Sequence, residues 1–183
     1  IYHEGDHANY IYLISEGAVK CHKLDDQGKE LTTALFKEDD LFGYTSFTHN
    51  LPHKETATAL KPTKLMGVAL HVLAEILNEN HKVTIALIDL LTDDLSNIKE
   101  QLLQMAYSSV NKKTAQTIVQ FAEKINRRPE DPIKISRSDL ASVAGVATET
   151  FIRTLTNFKQ EGLIKSEGRN IVVTNLKRLK EIN

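Results

Sequence analysis

The chain has 183 residues, 41% of them hydrophobic, which is enough for one large core or two small ones. No apolar run approaches a membrane span and no signal-peptide pattern opens the sequence; a single cysteine, Cys21, excludes an internal disulfide and a cysteine-ligated iron–sulfur cluster. The formal net charge of −1 hides a polarity, because residues 1–107 carry nine Lys and Arg against sixteen Asp and Glu (−7), whereas 108–183 carry fourteen against eight (+6). A soluble protein of a reducing compartment, the cytoplasm, fits these features. An acidic half and a basic half point to two domains with different partners, and a basic domain is the electrostatic footprint of a phosphate-backbone binder. Charge alone is weak evidence, since mixed Lys and Arg are more often simply solvated.

The opening IYHEGD carries no initiator Met and runs an apolar pair straight into a Gly-Asp turn, so further residues are expected upstream of Ile1. From Ile1 to about Ala69, short apolar runs (IYLI, AVKCHKL, LTTALF) alternate with turn signals (EGD, SEG, DDQG, KEDD, NLPH). That rhythm predicts an antiparallel β-roll, jelly-roll-like, with a hairpin loop at Asp25 to Glu30. HVLAEILNEN predicts a short helix. A long helix follows, roughly His81 to Tyr107, with apolar residues at Ile88, Leu91, Leu95, Ile98, Leu102 and Met105. Spacings of three and four keep one seam in line over about five turns, which is coiled-coil geometry. The seam can pack on the helix's own domain, with Leu87, Leu90 and Leu103 flanking it for that purpose, or on a second copy in a parallel homodimer.

SSVNKK, Ser108 to Lys113, breaks the seam and suits a hinge. TAQTIVQFAEKI predicts another helix, closed by the two prolines of RRPEDP, and IKIS a short strand. KSEGRNIVV predicts a β-hairpin turning at Glu167-Gly168-Arg169-Asn170. The expected class is α+β, divided into a roll over 1–80, a dimerisation helix and hinge over 81–110, and a C-terminal winged helix-turn-helix over 111–183.

The stretch SDLASVAGVATETFIRTLTNFKQEGLI carries the most information. A helix from Arg137 to about Gly145 has Ser136 as N-cap and Asp139 in its first turn, where negative charge suits the dipole. Leu140, Ala141 and Ala144 face inward, Ala141 permits close helix approach, and Gly145 supplies a left-handed turn before Val146. On the second helix Phe151, Leu155 and Phe158 recur at helical spacing and face a core. Thr148, Glu149, Ile152 and Arg153 therefore share the opposite face near the N-terminal end, the end that enters a major groove in such motifs. An Arg there can bond guanine bidentately and a Glu can accept from cytosine, each worth about 1–3 kcal/mol of discrimination. The bland alternative is a solvated Glu149–Arg153 ion pair worth about 0.2–0.5 kcal/mol.

The order of roll, long helix and winged helix-turn-helix resembles the CRP/FNR superfamily of bacterial transcription regulators. The resemblance rests on EGD (Glu4 to Asp6), IYLISEGAVK (Ile11 to Lys20), DLFG (Asp40 to Gly43), ISRSDLASVAGVATETFIRTL (Ile135 to Leu155) and the tail EGLIKSEGRNIVV. It implies a dimer that reads a palindrome of TGA-like half-sites with Glu149 and Arg153, beside Thr148 where the cyclic-AMP receptor protein has an Arg. It implies phosphate contacts from Ser136, Arg137, Ser138, Thr150 and the wing residue Arg169, and RNA polymerase as a further partner. Thr154 departs from the family, which buries an aliphatic residue there.

The same resemblance locates an effector pocket at Gly43, Tyr44, Glu55, Thr56, Ile98 and Lys99, with identities that argue against cyclic AMP. Tyr44 stands where the ribose-binding Glu belongs. Glu55 and Thr56 replace the Arg-Ser pair that holds the cyclic phosphate, and Lys54 is the nearby cation if the loop is shifted by one residue. Ile98 and Lys99 replace the Thr-Ser pair offered to adenine. No cofactor is identified and the effector is unknown. Two histidine pairs, His3/His7 and His49/His53, have i,i+4 spacing, but both fall in predicted turns and are read as surface histidines, with no metal site assigned. A rival reading is a cupin-type metal-dependent enzyme with a helical tail. It leaves Glu149, Arg153, the hairpin and the basic half without a role, and no nucleophile–base pair supports catalysis.

Overall fold

A computed structural model describes residues 1–46 and 51–183. Its first half contains six strands: β1 (Tyr10–Glu16), β2 (Ala18–Leu24), β3 (Glu30–Lys37), β4 (Leu41–Phe42), β5 (Thr56–Ala59) and β6 (Lys64–Ala69). They pair antiparallel in two three-stranded sheets, ordered β4-β1-β6 and β3-β2-β5. The sheets share a core of Tyr2, Ile14, Val19, Cys21, Phe42 and Ala57. Aromatic rings knit that core, with Phe42 5.3 Å from Tyr12 and 5.5 Å from Phe36 between centroids.

Strand β2 breaks the simple in–out alternation. Five successive residues, Ala18 to His22, are buried. Period-two geometry sends Val19 and Cys21 into the roll core and Ala18, Lys20 and His22 to the other face. That outer face is covered by the C-terminal half of the chain, whose core cluster includes Ala18.

The turn between β1 and β2 depends on Gly17. Its φ is 114°, a region open to glycine but not to ordinary side chains, and a Cβ there would lie 2.3 Å from the Thr63 hydroxyl oxygen and 2.7 Å from the Thr63 Cα. The SEG turn signal therefore marks a close approach as well as a bend.

Helix α1 (Leu70–Glu79) leads into α2 (His81–Tyr107), whose start is capped by Asn80 accepting from the Lys82 and Val83 amides. With 27 residues, α2 is about 40 Å long, and none of its residues is buried. Only Ser108 and Ser109 separate it from α3 (Val110–Gln120), so the connection is shorter than the expected hinge. Ser109 caps α3 by accepting from the Lys112 amide at 3.1 Å, which draws Val110–Lys113 into helix. A π-turn over Phe121–Ile125 extends α3 and buries Phe121, Ala122 and Ile125.

The segment read as the strand IKIS forms only one bridge, Ile133 to Ile171. Beyond it lie α4 (Arg137–Ala144), α5 (Thr148–Gln160), the hairpin β7 (Ile164–Glu167) and β8 (Asn170–Val173), and α6 (Leu176–Lys180). The five residues of α6 are too few to display a period, yet Leu179 is buried there. These elements share a core around Ile118, Phe121, Leu140, Phe151, Phe158, Leu163 and Ile171. Among the described residues no helix is long and apolar enough to cross a membrane.

Gly17→Ala should destabilise the protein by about 2 kcal/mol or more, combining backbone strain with a clash against fixed backbone. Denaturant unfolding would read the loss, and an unchanged midpoint would show that the turn can relax.

Candidate nucleic-acid interface

Helix α4 begins at Ser136, whose hydroxyl accepts from the Asp139 amide at 3.0 Å. It ends at Gly145, which adopts φ 62° and donates back to the Ala141 and Ser142 carbonyls. Leu140, Ala141 and Ala144 are buried against α3 and α5, as their sequence positions predict. Helix α5 buries Phe151, Thr154, Leu155 and Phe158. Thr154 is tolerated where an aliphatic residue was expected because its hydroxyl donates to the Thr150 carbonyl at 3.0 Å, leaving no unpaired polar group.

With that face fixed, the other face is fixed too. Glu149 and Arg153 are exposed, Ile152 is 45% exposed, and Thr148 is half-buried beside them at the first turn. Among the described residues no ion pair joins Glu149 to Arg153, so neither charge is spent on the other. A carboxylate and a guanidinium one turn apart, flanking an apolar side chain, form a surface that can offer donors, an acceptor and a methyl contact to base edges.

The five residues assigned to phosphate differ in placement. Ser136 and Ser138 are exposed at the N-terminal turn of α4, their hydroxyls 2.8 Å apart, and Ser136 also donates to Asp139 at 2.6 Å. Arg169 is exposed at the tip of the β7–β8 hairpin, and Thr150 is half-buried. Arg137 departs from an open phosphate contact: it is half-buried, its Nη1 has no partner among the described residues, and burial pushes its pKa down.

Between the roll, α2 and the C-terminal half lies a cavity of about 1290 Å³. Gly43, Tyr44, Glu55 and Ile98 line it, whereas Thr56 and Lys99 do not. Thr56 turns its hydroxyl to the Glu4 amide at 3.0 Å, and Lys99 is exposed on α2. Tyr44 donates to Asp94, and Thr33 donates to Glu55 at 2.7 Å. Burial, followed by the neighbouring Asp40 carboxylate, pushes the pKa of Asp94 up. Among the described residues eight carboxylates and four lysines line the cavity, and on the roll side Lys37 is the single cation, 3.7 Å from Asp40. Such a lining does not fit a cyclic phosphate, whose charge needs a neutralising donor. Asp94 lies off the apolar period of α2, so spacing alone does not single it out, and only its contact with Tyr44 places it in the cavity.

The seam itself is largely uncovered. Ile88, Leu91, Leu95, Ile98 and Leu102 are 41–62% exposed, joined by Ile85 and Leu103. Two assignments change. Leu103, expected to pack on its own domain, is 61% exposed, while Leu87 and Leu90 are half-buried as expected. Met105, expected in the seam, is half-buried instead, its Cε beside Gly145 of the same chain.

The histidines are not all superficial. His53 is 3% exposed and stacks on Tyr2 with centroids 3.5 Å apart, and burial lowers its pKa. Its sequence partner His49 lies outside the described residues. Among the described residues no group of three His, Cys, Asp or Glu side chains is placed to hold a metal ion.

Comparison with known proteins gives a consistent family. Residues 1–80 match the cyclic nucleotide-binding domain, and residues 112–182 match the Crp-like helix-turn-helix domain. An anaerobic regulatory protein of Haemophilus influenzae is 23% identical, covering 100% of this chain and 72% of its own length. Regulatory protein HlyX of Actinobacillus pleuropneumoniae is 24% identical over 98% of this chain and 76% of its own. The structure of FixK2 from Bradyrhizobium japonicum superposes with a TM-score of 0.88, at 24% identity, covering 99% of this chain and 90% of that one. These relatives are regulators rather than enzymes, and the metal-enzyme alternative finds no support among them.

Despite the match of the first domain, 1 mM cyclic AMP should leave the thermal unfolding midpoint unchanged. A ligand present at about 100 times its Kd would stabilise the protein by about 2.7 kcal/mol, a shift of several degrees that differential scanning would detect.

Proposed function

Because the chain belongs to the CRP/FNR superfamily of DNA-binding transcription regulators, we propose that it acts as a homodimer reading a palindrome of TGA-like half-sites. The observation that carries this reading is the outward face of α5. Arg153 bonds a guanine and Glu149 accepts from a cytosine amino group, with Ile152 against a thymine methyl and Thr148 setting the outer preference. Ser136, Ser138, Thr150 and Arg169 fix the register on the phosphates, and Arg137 joins them by turning outward on binding.

The dimer forms along α2. An apolar row of this length is more than a monomer ordinarily leaves in water, and each side chain fully buried contributes about 1.5–3 kcal/mol before the cost of association. A two-fold axis along α2 presents two copies of α5 about 34 Å apart, one turn of the duplex. The division of labour is a sensor roll over 1–80, a dimerisation helix and hinge over 81–110, and a reader over 111–183. The effector is unidentified, and the carboxylate-lined cavity favours a neutral or cationic molecule over a cyclic nucleotide. RNA polymerase is a partner by family resemblance alone.

Selection from a random duplex pool at near-physiological salt should enrich a two-fold symmetric site with TGA-like halves about one turn apart. Arg153→Ala should weaken specific binding by about 1–3 kcal/mol with little change in non-specific binding. An equal loss on both would reduce Arg153 to a phosphate contact. Leu95→Asp should convert the dimer to monomer in sedimentation, and a dimer surviving that change would place the interface elsewhere.

A further inference from the structure

Lys20 is a basic residue that faces neither solvent nor the proposed DNA surface. It projects from β2 with its side chain only 4% exposed, a costly place for an ammonium without counter-charge. Two carboxylates supply that charge. Glu30, at the start of β3, places Oε1 2.5 Å away, and Asp139, in the first turn of α4, places Oδ1 2.6 Å away. The second partner lies 119 residues along the chain and in the other half of the molecule.

The electrostatics agree with the geometry. Burial opposes ionisation of both carboxyls, but the Lys20 ammonium, together with a serine hydroxyl at each (Ser142 at Glu30, Ser136 at Asp139), outweighs it and holds each below the ordinary carboxylate range. Burial likewise opposes the charge on Lys20, and the two carboxylates outweigh that. His22 follows on the same face of β2 with Nδ1 3.2 Å from Glu30, and burial pushes its pKa down, leaving Lys20 as the cation of the cluster.

Further contacts run along the same helix. The Thr32 and Ser142 hydroxyls meet at 2.9 Å, both buried, one turn beyond Asp139. At the far end of α4, Leu31 and Met105 close on Gly145. Helix α4 is thus fastened to the roll along its length, while the C-terminal half as a whole is joined covalently to α2 only through Ser108 and Ser109, which lead into α3.

We propose that Lys20 is the positioning residue of the reader: shared between Glu30 and Asp139, it pins α4 to the roll of its own protomer and so aims α5. The inference rests on the reading of α5 as the DNA-contacting helix. In a dimer both copies of α5 must enter successive grooves together, so angular freedom in either reader lowers affinity for a double site and not for a single half-site. Lys20 also neutralises Asp139, whose charge lies beside the phosphate-contacting hydroxyls of Ser136 and Ser138 and would otherwise repel the backbone.

The test uses the full chain with Lys20→Met, Asp139→Asn and the double variant. Affinity is measured for duplexes with two half-sites and with one. Spin labels at Asp26→Cys and Lys159→Cys report the distance between roll and reader, Cys21 being fully buried. Each single variant should broaden the distance distribution and lower two-site affinity at least tenfold, with a less than twofold change for one half-site. The double variant should be no worse than either single one, because the pair acts as a unit. A merely structural role would lower both affinities together. Unchanged distances and an unchanged two-site to half-site ratio overturn the proposal, as does tighter two-site binding, which would mean the pair holds the reader off DNA. If Lys20→Met fails to fold, Asp139→Asn carries the same test from a half-exposed site. Broadened distances in a protein whose wild type prefers no double site would sink the DNA reading and leave the pinning role standing.

Discussion

The face this molecule presents to DNA follows from the burial of Phe151, Leu155 and Phe158. These side chains are fixed against Ile118, Phe121, Leu140 and the hairpin residue Ile171, so α5 cannot rotate about its axis without opening a core. Side chains of this size cost about 2–5 kcal/mol each when truncated in a core, and the three together outweigh the roughly 1–3 kcal/mol of a single base contact on the outer face. The apolar face therefore decides the polar one. Glu149 and Arg153 point outward because their neighbours must point inward, and their chemistry becomes available to another molecule.

The roll and the reader are bound into one body by an unusual strand. Residues of β2 are buried on both faces, which a strand in a two-sheet roll need not be. On the inner face the reason is the aromatic core around Phe42; on the outer face it is α4. Placing a lysine in that outer layer requires paired charge, and the two acids that meet Lys20 belong to opposite halves of the chain. Breaking such a pair leaves a buried charge unmatched, so the contact resists opening more strongly than its own net contribution to stability would suggest.

Helix α2 answers to a different constraint. Its roll-facing side carries the half-buried Leu87 and Leu90 together with Asp94, and beside it runs an exposed apolar row whose Leu91, Leu95 and Ile98 also border the cavity. One helix thus borders both an acidic cavity and an apolar seam, and a change in occupancy of the cavity acts on the same element that would join two protomers. The seam stops short of the end of the helix, because Met105 turns to the reader and fills space beside Gly145.

Much of this is written in the sequence, where short-range physics dominates. Turn residues delimit the strands, Asn80 and Ser136 cap the helices that follow them, and the period of apolar residues marks the seam of α2 and the inward face of α5. The resemblance of whole motifs, from EGD to the hairpin at Gly168, supplied the family. What the sequence could not display is any pairing that joins distant segments. Lys20 looks like a solvated lysine on a strand until Asp139 is brought beside it, and His53 looks like a loop histidine until Tyr2 stacks on it. Met105 continues the seam by count and leaves it by contact, while Thr56 and Lys99 fall outside the cavity that alignment assigned them to. Local period and capping depend on neighbours a few residues away and are legible in one dimension. Burial of a charge, the lining of a cavity and the docking of one half on the other depend on neighbours up to 119 residues away, and only the folded chain brings them together.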